Sequence, residues 1–243
     1  MKAPDAPRQD RTAVSPALIL TGVEKKLGDF FLCIDKLAVS GPGIYGLVGP
    51  NGSGKSTLAK IMAGLMEADR GRIDIQGLNP GDVTLLGRKP YMMNDTVYNN
   101  LIYPLRLRKI KPDPNLVSDY LDKMNLKGRE KQKARLLSSG EQQKLAFLRA
   151  LIFRPRFIIA DEAMTALDID SLDLFEKTIL EEQKKNPLVW IIISHQMSHV
   201  KRLVNHLFFM YRGKIEAEGS MEDLPALSSN PHFRQYLHVY GGV

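Results

Sequence analysis

The sequence predicts an α/β fold built on a parallel sheet, and two patterns support this prediction. A glycine-rich segment at residues 49–57 lies between a short apolar run and a helical stretch. Further along, apolar runs at 157–160 and 188–193 flank a helical pattern at 171–185. A strand, a crossover helix and a second strand in this order are typical of a parallel sheet.

The remaining elements follow from local periodicity and turn residues. Residues 1–16 contain three prolines and mixed charge, which predicts a flexible tail. Helical spacing of apolar residues runs from about 96 to 153, interrupted by Pro112 and Pro114. Short strands are predicted at 18–20, 31–34, 44–48, 72–76 and 83–86, with a final pair within 208–219.

The glycine-rich segment has the composition of a phosphate-binding loop. Its glycines allow a tight curl that points successive N–H groups at an anion, and the following helix adds its positive end. A lysine at this position reaches the β- and γ-phosphates, and the next hydroxyl can ligate Mg²⁺. We therefore predict that a nucleoside triphosphate binds here, through Gly49, Pro50, Asn51, Gly52, Ser53, Gly54, Lys55, Ser56 and Thr57.

Two adjacent acids, Asp161 and Glu162, directly follow the apolar run at 157–160. Carboxylates are costly inside a core, but the carboxyl ends of parallel strands are where such folds bind ligands. Successive strand residues point in opposite directions, so the two acids can take different roles. Asp161 is predicted to hold Mg²⁺ together with Ser56, and Glu162 to poise the water that attacks the γ-phosphate.

The composition and charge of the chain limit the classes of protein to which it can belong. The 243 residues are 44% hydrophobic and 25% charged, and no apolar run approaches the roughly 20 residues that span a bilayer. Cys33 is the single cysteine, which fits a reducing compartment. The net charge is +7, and residues 106–135 hold ten basic and four acidic side chains. This basic segment can meet an anionic membrane, an acidic partner or nucleic acid, or it can be a solvated surface.

Further motifs resemble those of the ABC ATPases. The stretch Leu137-Ser138-Ser139-Gly140-Glu141-Gln142-Gln143-Lys144 is similar to the signature of that family, usually Leu-Ser-Gly-Gly-Gln. Ala166-Leu167-Asp168 resembles its D-loop, and Ile193-Ser194-His195 resembles the switch histidine at the end of a strand. Gly213-Lys214-Ile215 and Glu218-Gly219 resemble its closing strand turn, so the similarity covers roughly residues 18–225.

The resemblance implies a P-loop NTPase (RecA-like) core with a small antiparallel β subdomain and an inserted α-helical subdomain. After the tail at 1–16, the ABC ATPase domain would occupy residues 17–243. Its core would lie at about 17–87 and 149–222, its helical subdomain at about 88–148, and a C-terminal extension at 223–243.

The resemblance also implies ATP and Mg²⁺ as ligands and a head-to-tail dimer. Ser138, Ser139, Gly140 and Glu141 of one copy would cap the γ-phosphate held by Lys55 of the other. His195 would be catalytic through contacts with the γ-phosphate and the attacking water, and Asp168 would communicate between the two sites.

Four departures from the family pattern alter these expectations. Ser139 and Glu141 stand where glycine and glutamine are usual, and Ala163-Met164 replaces Pro-Thr. Arg88 occupies the position of the Q-loop glutamine, and a guanidinium cannot ligate a cation. We expect Arg88 to contact phosphate oxygens instead. Leu27 holds the place of the adenine-stacking aromatic, with Phe30 or Phe31 as substitutes.

The segment 89–101 is similar to the corresponding part of tungstate and molybdate importer subunits. The expected partners are therefore a transmembrane permease subunit and a second ATPase copy, with an anionic membrane surface possible and no nucleic acid. The expected location is peripheral, on the cytoplasmic side of the cell membrane. Two alternatives are a soluble ABC ATPase acting on ribosomes or DNA and a regulatory subunit that hydrolyses ATP weakly.

Overall fold

The fold was analysed in a computed structural model that describes residues 17–76, 82–165 and 167–241. The predicted tail at 1–16 lies outside these residues. The strands are β1 (Ala17–Leu27), β2 (Phe30–Ser40), β3 (Gly43–Val48), β4 (Arg70–Gln76), β5 (Val83–Leu86), β6 (Phe157–Asp161), β7 (Val189–Ser194), β8 (His206–Tyr211) and β9 (Lys214–Ser220). The helices are α1 (Lys55–Met62), α2 (Val97–Leu107), α3 (Pro114–Lys123), α4 (Ser139–Leu151), α5 (Ile169–Lys185), α6 (Ser198–Lys201), α7 (Leu224–Leu227) and α8 (Pro231–Tyr240).

A six-stranded sheet in the order β5-β6-β7-β3-β8-β9 forms the centre of the fold. Its first five strands are parallel, and β9 returns antiparallel to β8. Strands β6 and β7 are buried on both faces, which explains why they appear in the sequence as continuous apolar runs rather than alternating patterns. The α/β fold predicted from the sequence is confirmed.

A separate three-stranded antiparallel sheet has the order β2-β1-β4. Its first two strands are 11 residues each, much longer than the apolar runs that indicated them. Because their polar residues alternate with buried ones, the apolar pattern alone marks only part of each strand. The backbone N–H of Cys33 in β2 donates to the carbonyl of Gly213 between β8 and β9, which joins the two sheets.

Helices α2, α3 and α4 form the helical region between β5 and β6. Thr96 caps α2 and Asp113 caps α3, where Pro114 takes the first helical position. Leu101 and Leu105 are buried as the helical spacing predicts, but Leu107 is exposed at the end of α2. The helical stretch expected after residues 49–57 is α1, which already begins inside that segment, at Lys55, and ends at Met62.

Two hydrophobic clusters pack on opposite faces of the central sheet. One joins the sheet to α4, α5 and the other helices, and at its centre Phe147 stacks on Phe175 with ring centroids 4.2 Å apart. The other fills the space between the sheet, α1 and the antiparallel sheet. Within the described ranges, no helix is long and apolar enough to cross a membrane.

Candidate functional site

The parallel register brings three sequence motifs to one edge of the central sheet. Val48, before the glycine-rich loop, pairs with Ser194, directly before His195. Asp161 pairs with Ile193 on the neighbouring strand. The phosphate loop, the carboxylate pair and the histidine therefore leave adjacent strands at the same level.

The glycine-rich loop is closely packed at two points that exclude side chains. Gly49 has a φ of 152°, and a Cβ there would collide with the carbonyl of Met210. Gly54 has a φ of 106°, and a Cβ there would lie 2.7 Å from the ring of Phe30. The carbonyl of Ser53 accepts a hydrogen bond from the N–H of Gly213, which fixes the loop on the β8–β9 turn.

Lys55 lies inside this loop with its ammonium directed at the backbone. Its Nζ donates to the carbonyls of Gly49 and Pro50, each at 2.8 Å. Burial lowers the pKa of the Lys55 ammonium, although the nearby carboxylates of Glu162 and Asp161 oppose that shift. This desolvated ammonium, which also donates to the Ser53 hydroxyl at 3.4 Å, is well placed to bind the oxygens of a phosphate.

The two predicted magnesium ligands are in contact. The Ser56 hydroxyl donates to Oδ1 of Asp161 at 3.1 Å, across 105 residues of sequence. Burial raises the pKa of Asp161, whereas the hydrogen bond from Ser56 lowers it. Among the residues the structure describes, no group of three or more His, Cys, Asp or Glu side chains could form a metal cage. A hydroxyl and a single carboxylate fit Mg²⁺, which binds through one or two protein oxygens plus phosphate and water.

Glu162 and His195 form a second pair beside the first. Nδ1 of His195 lies 3.0 Å from Oε1 of Glu162, and both side chains are largely buried. Glu162 has a φ of 51°, an unusual left-handed conformation, while its N–H donates to the carbonyl of Ile193. This conformation turns the Glu162 carboxylate toward the histidine rather than along the strand direction.

Arg88 lies at the same carboxylate. Its Nη1 is 3.6 Å from Oε2 of Glu162, and its side chain is mostly exposed. We expected Arg88 to contact phosphate; in this structure its guanidinium pairs with the Glu162 carboxylate. The buried side chain of Gln143 on α4 donates to the carbonyl of Gly87, and so joins the signature helix to the residue before Arg88.

An open cleft of about 440 Å³ extends from the loop past β1 and β2. Leu27 and Phe30 line it together with residues of the phosphate loop and Glu162. Phe31 is absent from the lining and is half exposed elsewhere on β2. Of the three residues considered for stacking on the base, Leu27 and Phe30 are therefore the two beside the cleft.

The signature residues start helix α4. The Ser138 side chain accepts from the N–H of Glu141, and Oε2 of Glu141 accepts from the N–H of Ser138, which forms a capping box. Glu141 also pairs with Arg129 at 3.0 Å. The hydrogen bond from the Ser138 backbone is the main cause of a lowered pKa of Glu141. The negative charge of Glu141 is therefore partly neutralised by these two contacts at the start of α4, beside Ser139 and Gly140.

Asp168 also begins a helix. Its carboxylate accepts from the N–H of Ser171 at 2.7 Å and caps α5. Hydrogen bonding to Ser171, first to its side chain and then to its backbone N–H, lowers the pKa of Asp168. The preceding Ala166 of the D-loop motif lies outside the described residues.

A groove of about 600 Å³ lies between β5, α2 and α4, close to Arg88. Tyr91, Tyr103 and Leu107 line it and are exposed, although they are large and apolar. Arg149 also lines it and donates to the carbonyl of Tyr91 at 2.8 Å. Local periodicity alone does not indicate the groove, because its residues come from three separate elements, whereas the family resemblance predicts a groove for the membrane subunit at the loop of Arg88 and the helical segment after it.

The sequence motifs also gave no sign that the C-terminal helix α8 reaches the site. The hydroxyl of Tyr236 on α8 donates to the backbone carbonyl of His195 at 3.0 Å. In a sequence, a tyrosine at helical spacing indicates only that its ring packs in the core. It does not show whether its hydroxyl also makes a contact of this kind.

Comparison with known proteins agrees with the motifs. The profile of the ABC transporter family matches residues 36–165. The tungstate uptake system ATP-binding protein TupC of Peptoclostridium acidaminophilum is 30% identical over 199 residues, covering 79% of this chain and 93% of that protein. The methionine import ATP-binding protein MetN of Chlamydia pneumoniae is 29% identical over 92% of this chain and 71% of that protein.

A solved structure shows the same architecture. The ADP conformation of MJ1267, an ATP-binding cassette of an ABC transporter, superposes with a TM-score of 0.72 at 25% identity, over 91% of this chain and 98% of that one. The family predicted from the sequence is thereby confirmed. The chain belongs to the ABC transporter family, as an ATP-binding subunit with ATPase activity.

Proposed function

We propose that this chain is the ATPase subunit of an importer, in which Mg²⁺-dependent ATP hydrolysis drives a separate membrane permease. The observation that carries the proposal is the convergence of Lys55, the Ser56–Asp161 pair and the Glu162–His195 pair at one sheet edge. The importer assignment is supported by the relatives TupC and MetN, whose names describe tungstate uptake and methionine import.

Different residues of the site bind the phosphates and accept the proton. Lys55 and the first amides of α1 bind the β- and γ-phosphates, since those N–H groups have no partner within the helix. Ser56 and Asp161 would hold Mg²⁺, which supplies charge neutralisation at the phosphate oxygens. Glu162 accepts a proton from the attacking water at its carboxylate, and His195 orients that carboxylate through the 3.0 Å contact.

The signature residues act in trans in the proposed dimer. Ser138, Ser139 and Gly140 begin a 13-residue helix, whose N-terminal amides and dipole favour an anion. Because Glu141 pairs with Arg129 and with the Ser138 amide, its negative charge is partly neutralised before a phosphate approaches. Asp168 would transmit the state of one site to the other from its capping position on α5.

Arg88 is proposed to exchange partners during the cycle. Its exposed guanidinium pairs with Glu162 at 3.6 Å, a separation that a competing phosphate can easily break. On ATP binding, Arg88 would move to the γ-phosphate, where the higher negative charge favours a charge-assisted hydrogen bond. Glu162 is then released to accept the proton. The bond from Gln143 to Gly87 connects this exchange to α4.

The groove is the proposed docking site of the permease. It presents exposed Tyr91, Tyr103 and Leu107, which suit the apolar face of a short helix. Arg108 lies over the ring of Phe153 at 3.8 Å on the same lining. The basic cluster at 106–111 would then face anionic headgroups beside the permease, each basic group contributing about 1 kcal/mol. The chain would thus sit peripherally on the cytoplasmic side of the membrane.

Glu162→Gln should abolish hydrolysis while leaving ATP binding intact, because it removes the base and retains the shape of the side chain. We expect turnover to fall on the order of a hundredfold or more. Light scattering should then detect an ATP-dependent dimer. In the same background, Ser138→Arg should keep the protein monomeric while ATP still binds. Undiminished turnover in Glu162→Gln would contradict the role of the carboxylate, and dimerisation despite Ser138→Arg would contradict the composite site.

Arg88→Ala should remove stimulation of the ATPase by the permease, with a loss of about tenfold in the stimulated rate for one charge-assisted contact. Arg88→Gln should retain stimulation, because an amide oxygen can join the Mg²⁺ shell. The measurement is phosphate release with and without permease in vesicles. Lys36→Ala is the control, since it removes an exposed cation of β2 that lines neither the cleft nor the groove. Equal stimulation of wild type and Arg88→Ala would exclude Arg88 from coupling.

A photoreactive residue placed at Tyr91 or Leu107 should crosslink to a polytopic membrane protein in intact membranes, because the groove receives the permease. The same probe at Leu65 is the control, since that side chain is exposed but does not line the groove. Mass spectrometry identifies the crosslinked partner. Crosslinks from the groove to ribosomal or DNA-bound proteins alone would support the soluble ATPase alternative and overturn the importer proposal.

A further inference from the structure

The C-terminal helix α8 packs directly against the segment that carries His195. Phe233 of this helix is fully buried against Phe209 of β8, with ring centroids 5.0 Å apart. One turn later, Tyr236 is also buried against Phe209, at 5.4 Å. Helix α8 is therefore packed on the central sheet at β8, the strand that follows His195 in the chain.

Three separate contacts join α8 to residues 195–197. The Tyr236 hydroxyl donates to the His195 carbonyl at 3.0 Å. The N–H of Met197 donates to the carbonyl of Tyr240 at 3.2 Å. The ring of Tyr240 stands edge-on to the imidazole, with centroids 6.2 Å apart. Backbone and side chain of the histidine segment are thus both held by one helix.

The Tyr236 hydroxyl is enclosed where it meets His195. Burial raises the pKa of Tyr236, and the backbone of Gly49 opposes this rise. The phenol therefore keeps its proton and donates it to the carbonyl of His195.

We propose that Tyr236 is a positioning residue for hydrolysis, which holds His195 against Glu162. Residue 236 lies outside the part of the chain that matches the family profile, which ends at 165. The inference rests on the proposed role of His195. It makes the C-terminal helix a part of the hydrolytic apparatus rather than a peripheral extension.

Tyr236 affects hydrolysis by fixing the position of the His195 backbone. The contact between His195 and Glu162 is a single hydrogen bond of 3.0 Å at the end of a strand, where the chain leaves the sheet. Without the Tyr236 hydroxyl, the carbonyl of His195 loses its hydrogen-bond donor and the imidazole can move away from the carboxylate. Small displacements of a group that orients a base reduce turnover strongly but leave substrate binding unchanged.

The test is a double-mutant cycle between Tyr236→Phe and His195→Ala, measured as steady-state ATP hydrolysis. Tyr236→Phe removes one oxygen and keeps the packing on Phe209. We expect kcat to fall about three- to tenfold with KM for ATP unchanged, which corresponds to one hydrogen bond. In the His195→Ala background, Tyr236→Phe should have no further effect, because the imidazole that Tyr236 positions is absent.

Tyr120→Phe is the matched control, since Tyr120 is an equally buried tyrosine on α3, a helix that carries no residue of the proposed site. It should leave kcat unchanged. Hydrogen exchange provides a readout independent of turnover: amides at 194–197 should exchange faster in Tyr236→Phe than in Tyr120→Phe.

The two possible failures are distinguishable. An unchanged kcat in Tyr236→Phe, or an equal loss in both backgrounds, would overturn the positioning role while leaving the proposed role of His195 intact. Unchanged exchange at 194–197 would overturn it as well. A fully active His195→Ala would overturn the role of the histidine itself, and with it the inference about Tyr236.

Discussion

The parallel register of three adjacent strands is the constraint on which the site depends. Val48 pairs with Ser194 and Asp161 with Ile193, so β3, β6 and β7 end at one level. Residues separated by more than a hundred positions thereby meet within hydrogen-bonding distance, as Ser56 and Asp161 do at 3.1 Å. A shift of one residue in either pairing would move these side chains to the other face of the sheet.

At this edge of the sheet, Lys55, Glu162 and Arg88 each have a hydrogen-bond or ion-pair partner within the protein. Lys55 donates to two loop carbonyls, and Glu162 contacts both His195 and Arg88. These contacts are individually weak enough to be exchanged for bonds to phosphate. The site is thus preorganised by its buried backbone, whereas its exposed cation at Arg88 remains free to move.

Much of the fold, and the sheet edge at which the candidate site lies, could be predicted from the sequence, because continuous apolar runs mark buried parallel strands and a short glycine-rich motif marks the loop between β3 and α1. The contact between Glu162 and Arg88 could not be predicted, since it depends on the left-handed φ of Glu162. Similarly, α8 carries no motif, and only packing on Phe209 shows that Tyr236 reaches the histidine segment. The lengths of β1 and β2 were underestimated, because their polar residues alternate with apolar ones.

The central claim is that this edge forms one metal–ATP site, and the most direct measurement is ATP affinity with and without Mg²⁺. The comparison uses Glu162→Gln, so that no ATP is consumed, and the same protein with Asp161→Asn added. We predict that Mg²⁺ tightens ATP binding in the first protein and has little effect in the second, while their affinities without Mg²⁺ are similar. An equal effect of Mg²⁺ in both proteins would contradict the account, because Asp161 would then play no part in holding the metal.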